Sequence, residues 1–115
     1  MHALVATVVH HPEDARILHR QIRALLDAGH TVTYVAPFRD CGATPWKELR
    51  SVDVPRASGR ERLSSLRAAR AVLAEHAPAS DLLLLHDPEL LLALPSGRPV
   101  TVWDVHEDTA SALLT

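Results

Sequence analysis

The sequence predicts an α/β fold: a Rossmann-like, doubly wound parallel sheet in strand order 3-2-1-4-5. Three observations predict it. β-rich apolar segments alternate with segments whose apolar residues recur at helical spacing. The stretch Asp81–Leu94, DLLLLHDPELLLAL, opens with Leu82–Leu85, which have no polar partner on either face. A strand apolar on both sides suits the interior of a parallel sheet covered by helices. Finally, three strand candidates run straight into polar turns that open helices, at HHPED, HDPE and HEDT. That is the arrangement of strand–helix–strand units with right-handed crossovers.

Taken in order, Ala3–Val9 (ALVATVV) reads as the first strand. Pro12, Glu13 and Asp14 look like a first helical turn. Leu18, Ile22, Leu25 and Leu26 then share a helical face, and Gly29 ends that helix as a C′ residue. Thr31–Ala36 (TVTYVA) is the second strand, stopped by Pro37. A loop carries Trp46, which either closes over something or packs. Ser51–Val54 is a short third strand. Arg60–His76 is a helix with Leu66, Ala69, Val72 and Leu73 on one face. Leu82–Leu85 is the fourth strand. Asp87 as N-cap, Pro88 at the first helical position and Glu89 near the positive helix end predict a short apolar helix after it. Val100–Val105 (VTVWDV) is the last strand, followed by a helix start at His106–Thr109 with Ala110–Leu114 apolar. The shortness of that last helix suggests that residues 1–115 are the front part of a larger protein.

Bulk composition narrows the function classes. With 115 residues, one domain is expected, and 47% hydrophobic residues suffice for a core that leucine, valine and alanine must fill. A net charge of −2 gives no reason to expect nucleic acid. A single cysteine, Cys41, excludes an internal disulfide and fits a cytosolic setting. No run reaches the roughly 18 apolar residues of a membrane span, and the first apolar run has no basic leader.

The chemistry-bearing residues cluster by topology rather than by spacing. In the expected strand order His10 and His11, His86 and His106 all fall at the carboxyl edge of the sheet, where open α/β sheets bind ligands. Neighbouring residues of a strand point oppositely, so at most one of His10 and His11 faces inward. His86 is the strongest candidate, since it ends the leucine strand beside a helix start. Asp87 reads as a helix cap and Asp104 as a strand-end anchor. His2, His19, His30 and His76 read as solvated or helix-terminal, and the arginines of Arg60–Arg70 as a solvated helix face. The first strand–helix turn has no glycine, so it is not the G-x-G-x-x-G loop of dinucleotide folds. No G-x-x-x-x-G-K-[ST] or G-x-S-x-G is present, and Cys41 lacks an activating context.

Three segments together resemble the family 4 glycosyltransferases of the GT-B fold. VVHHPEDARILHRQIRALLDAGHTVTYVAP resembles their opening H-P-x-D-x-R-I … L … G-H-x-V pattern. DLLLLHDPELL resembles their D-hydrophobic-H-D-P-E-L strand and helix. VTVWDVHED resembles their V-x-Y-D-x-H-E-D strand, with Trp103 in place of tyrosine. The resemblance implies that residues 1–115 are most of the N-terminal, acceptor-side domain of a two-domain enzyme, the donor-binding C-terminal domain lying outside the chain. It implies sugar transfer from a nucleotide-sugar to an acceptor hydroxyl, with retention, with neither metal nor cofactor. His86 is then the catalytic residue beside the anomeric carbon and the acceptor hydroxyl. His11, Asp14, Arg16, Asp87, His106 and Glu107 make up the expected acceptor-binding set. The implied acceptor is a sugar, a lipid-linked molecule or another small molecule, and the implied location is cytoplasmic, with peripheral contact at the inner face of the membrane. The glycine pair that many relatives carry after the first strand is replaced here by HHPEDA.

Two other classes fit parts of the sequence. H-P-x-D after a first strand also resembles zinc N-deacetylases of the LmbE type, in which His11, Asp14 and a later histidine would bind zinc. Their H-P-D-D-E motif is incomplete here, and the leucine-strand and VTVWDVHED segments do not fit them. The third class is a non-catalytic Rossmann-like interaction domain, which the fold alone leaves open.

Overall fold

Apolar, β-prone residues at the start of the chain form strand β1, His2–Ala6, and every residue from Ala3 to Val8 is buried. The computed structural model describes residues 1–104. Val105, His106, Glu107 and the expected last helix lie outside the described residues.

Helix α1 follows in two parts, Ala15–Ile22 wound as a wide π-helix and Arg23–Asp27 as a regular α-helix. It ends as expected at Gly29, whose φ of 87° suits glycine. The Gly29 and His30 amides bond back to the Leu26 and Leu25 carbonyls. Strand β2 is Thr31–Ala36, the one-turn helix α2 is Phe38–Cys41, and strand β3 is Arg50–Asp53. Helix α3, Arg62–His76, starts after a 3₁₀ turn at Gly59–Glu61. Strand β4 is Leu82–Leu85, and the short apolar helix expected after it is a 3₁₀ helix, Pro88–Ala93. Strand β5 is Val100–Trp103.

The five strands form one sheet in the order β3-β2-β1-β4-β5, every pair parallel. The predicted Rossmann-like doubly wound fold is therefore the observed one. Two apolar layers sandwich the sheet. On one face Leu4, Ala6, Val35, Leu83 and Leu85 pack against Ala69 and Leu73 of α3 and Leu90 and Ala93 of the 3₁₀ helix. On the other, Val5, Val32, Tyr34 and Ala36 pack against Ile17, Leu18 and Ile22 of α1. Trp46 packs on this second layer, against His19 and beneath the Arg23 guanidinium.

The leucine strand lies between β1 and β5, as expected, but it is not the most buried one. Leu83 and Leu85 are buried, whereas Leu82 and Leu84, on the α1 side, keep partial exposure. The strands buried at every residue but the first are β1 and β2. Leu84 packs at the margin of the α1 layer, whose fully buried members come from α1, β1, β2 and α2. Chain direction also reverses between β1 and β4. From β1 the chain proceeds toward β2 and from β4 toward β5, so the crevice at their carboxyl ends is the topological switch point.

Candidate functional site

The switch point is held together by one carboxylate. Asp87 follows β4 by two residues and is 1% exposed. Its side chain does not cap the following helix, contrary to the sequence reading. It turns instead toward the end of β1. The Thr7 hydroxyl donates to both Asp87 oxygens, at 2.9 and 3.0 Å. The Val8 and Val9 backbone amides donate to Oδ2, at 2.5 and 3.1 Å. His10 Nε2 lies 3.2 Å from Oδ1, and the His10 amide donates to the Thr7 hydroxyl. Residues 7–10 are therefore wrapped around Asp87, which is why β1 stops at Ala6.

Two consecutive amides aimed at one point form an anion-binding nest, and in dinucleotide folds the loop after the first strand presents such amides to a pyrophosphate. Here the anion in the nest is the protein's own carboxylate. A carboxyl group this buried needs hydrogen-bond partners, and Asp87 has a hydroxyl, two amides and an adjoining imidazole.

A second cluster adjoins it. His86 is fully buried, with Nδ1 3.6 Å from Asp104 Oδ2. Arg16 Nη2 donates to Asp104 Oδ1 at 2.8 Å, and Gln21 Nε2 to Oδ2 at 2.7 Å. Asp104 follows β5, so this carboxylate ties the end of β5 to α1 and β4. The π-winding makes the double contact feasible. In a regular α-helix residues five apart sit about 140° apart around the axis, whereas i→i+5 bonding nearly aligns them. Arg16 and Gln21, five apart, thus reach one carboxylate from one face. Burial alone would push the Asp104 carboxyl up. The Gln21 hydrogen bond, the Arg16 charge and the neighbouring His86 outweigh it and hold the group below its ordinary value.

The remaining expected residues divide. Asp14 is the N-cap of α1, its Oδ1 accepting from the Arg16 and Ile17 amides. His11 is exposed, and its Nδ1 accepts from the Glu13 amide. Both are therefore engaged in the local turn. Tyr34 supports that turn by donating to the Pro12 carbonyl at 2.8 Å. Burial, followed by the charges of Asp14 and Asp87, raises its phenol well above the ordinary 10.0. Arg16 stays partly exposed while bound to Asp104. His106 and Glu107 lie outside the described residues. His86 stands at the strand end where expected, but its ring does not face open solvent: it is 0% exposed. Its Nδ1 contact with Asp104 ties it to the end of β5.

Thr7 was not singled out by sequence reasoning, His10 was weighed beside His11 but left out of the expected acceptor-binding set, and Asp104 was read only as an anchor. The signal for His10 was present in the His10-His11 pair, but choosing between them needs the position of Asp87. Among the described residues no three of His, Cys, Asp and Glu are grouped so as to hold a metal ion. Set against known protein families, curated proteins and solved structures, the chain matches none.

Proposed function

We propose that this chain is the acceptor-side domain of a glycosyltransferase that moves a sugar from a nucleotide-sugar to an acceptor hydroxyl. The observation that carries the reading is the Asp87-centred cluster at the switch point. It puts a partly exposed imidazole, His10, on a buried carboxylate at the edge where such sheets bind ligands. The same carboxylate fills the amide nest that would otherwise suit a diphosphate, in keeping with a domain that holds acceptor rather than donor. The three segments that resemble family 4 glycosyltransferases add support, since Asp87 and Asp104 each lie within one of them.

In this reading His10 takes the role first expected of His86. The imidazole shares the proton of the acceptor hydroxyl as its oxygen bonds to the anomeric carbon and the bond to the leaving diphosphate breaks. Asp104, held by His86, Gln21 and Arg16, orients Arg16 along the same edge. His11 and Asp14, engaged in the turn, shape the loop rather than bind the acceptor. No step requires a metal.

The test is sugar transfer by the whole gene product across a panel of nucleotide-sugars, read as release of the nucleoside diphosphate together with a glycosylated acceptor. Both products are expected. Failure with every donor, accompanied by zinc-dependent release of acetate from N-acetylated sugars, would replace this reading with the deacetylase one.

A further inference from the structure

A polar pocket lies at the opposite edge of the sheet from Asp87. His2, Thr31 and Arg50 are the first residues of β1, β2 and β3. Leu4, Val35 and Val52 of those strands pack in the α3 layer, so alternation turns His2, Thr31, Thr33 and Arg50 to the same face. Register sets them side by side, His2 against Thr31 and Thr33 against Arg50. The apolar face of the sheet thus becomes polar toward its amino edge. With Glu48, and with His76 from the last turn of α3, these four residues line a cavity of about 440 Å³. That volume is in the range of small-molecule sites.

The wall is rich in donors. His2 Nδ1 lies 2.6 Å from the Thr31 hydroxyl and Nε2 lies 2.9 Å from that of Thr33. A neutral imidazole between two hydroxyls accepts from one and donates to the other, and the hydroxyl that accepts keeps its own proton to give. A protonated ring leaves both hydroxyl protons to give. Among the described residues the Arg50 guanidinium forms no ion pair. Glu48 has its two carboxylate oxygens on Arg23, at 3.2 and 2.6 Å. The carbonyls at the end of α3 are engaged as well, His76 accepting from the Ser80 hydroxyl and Ala77 from the Ser80 amide. An anion entering the cavity meets donors, while the neighbouring acceptors are already taken.

We propose that this cavity binds a small phosphate monoester. The phosphate takes the Arg50 guanidinium, a threonine hydroxyl and the His76 ring. The guanidinium fork matches two phosphate oxygens, and the other donors come from different strands and from α3. Donors arriving from several sides suit a tetrahedral anion better than a planar carboxylate. The cavity is at the amino ends of the strands and the Asp87 crevice at their carboxyl ends, so binding here is independent of sugar transfer.

Isothermal titration calorimetry of the full chain with glycerol 3-phosphate tests it, with acetate as the planar control. Saturable binding with a Kd below about 1 mM is expected for glycerol 3-phosphate, and binding at least about tenfold weaker for acetate. Arg50→Gln, shown by circular dichroism to be folded, should weaken glycerol 3-phosphate binding at least about tenfold. Arg56→Gln should leave it unchanged, since the Arg56 guanidinium sits on the Val9 carbonyl at the other edge of the sheet. In an NMR titration the amide shifts should centre on residues 2, 31–33 and 50. No saturable binding, equal affinity for acetate, or full affinity in folded Arg50→Gln overturns the proposal. Loss of binding in Arg56→Gln, or shifts centred on residues 7–10, also overturns it and places the anion at the switch point.

Discussion

At the level of single residues, Asp87 accepts from a hydroxyl and two backbone amides and lies against an imidazole, all in a buried crevice. Asp87→Ala leaves those donors unpaired and should destabilise the fold by roughly 3–5 kcal/mol in urea denaturation. Asp87→Asn should recover only part of that loss, because its NH₂ faces donors. An alanine variant as stable as the parent would remove Asp87 from the centre of the site. Asp104 gives a pH signature. Its folded carboxyl titrates below the ordinary 3.8, so the unfolded chain binds the proton more readily. Stability from this group is complete above that ordinary value and is lost as pH falls through the folded one. Asp104→Asn should therefore flatten the acid limb of stability below about pH 4, as followed by thermal unfolding across pH. An unchanged acid limb would mean that the Arg16 and Gln21 contacts contribute nothing to folding. The sequence marked Asp87 through its helix-start context, D-P-E, and so pointed to a cap. Nothing local reveals that the carboxylate instead crosses to β1, because that partner is remote in sequence.

Elements were largely legible because their periodicities are strong. The limits of β2, β4 and α3 follow from apolar spacing and from Pro37, Gly29 and Pro78. What sequence reasoning missed lies where backbone winding or lateral cover decides. The π-winding of Ala15–Ile22 leaves an apolar pattern that also satisfies an ordinary helix, so it is invisible until Arg16 and Gln21 are seen on one carboxylate. The partial exposure of Leu82 and Leu84 depends on what covers that face of the sheet, which a run of leucines cannot tell. The two faces of β4 should accordingly differ in energy. Leu83→Ala opens a cavity in the α3 layer and should cost roughly 2–5 kcal/mol. Leu84→Ala, on the side that keeps some solvent, should cost clearly less. Equal losses in chemical denaturation would contradict the assigned facing of the strand.

Across the whole molecule, a parallel sheet covered on both faces places its ligand-binding edge by topology, and strand order determines which residues meet there. That much was readable from alternation alone: His86, Asp87 and the β1 loop were all expected at one edge, and they share it. The choice between His10 and His11 was not readable, since strand alternation requires only that they differ. Asp87 makes the choice, by holding His10 while His11 turns out to bond the Glu13 amide. His86, buried beside Asp104, should unfold the edge when cut to alanine and so is a poor probe of chemistry. The most direct measurement is sugar transfer by the whole gene product in His10→Ala and His11→Ala side by side, each shown to be folded. The account predicts a loss of roughly 10²–10⁴-fold for His10→Ala and near-parental turnover for His11→Ala. Parental turnover in folded His10→Ala, or a loss confined to His11→Ala, would contradict it.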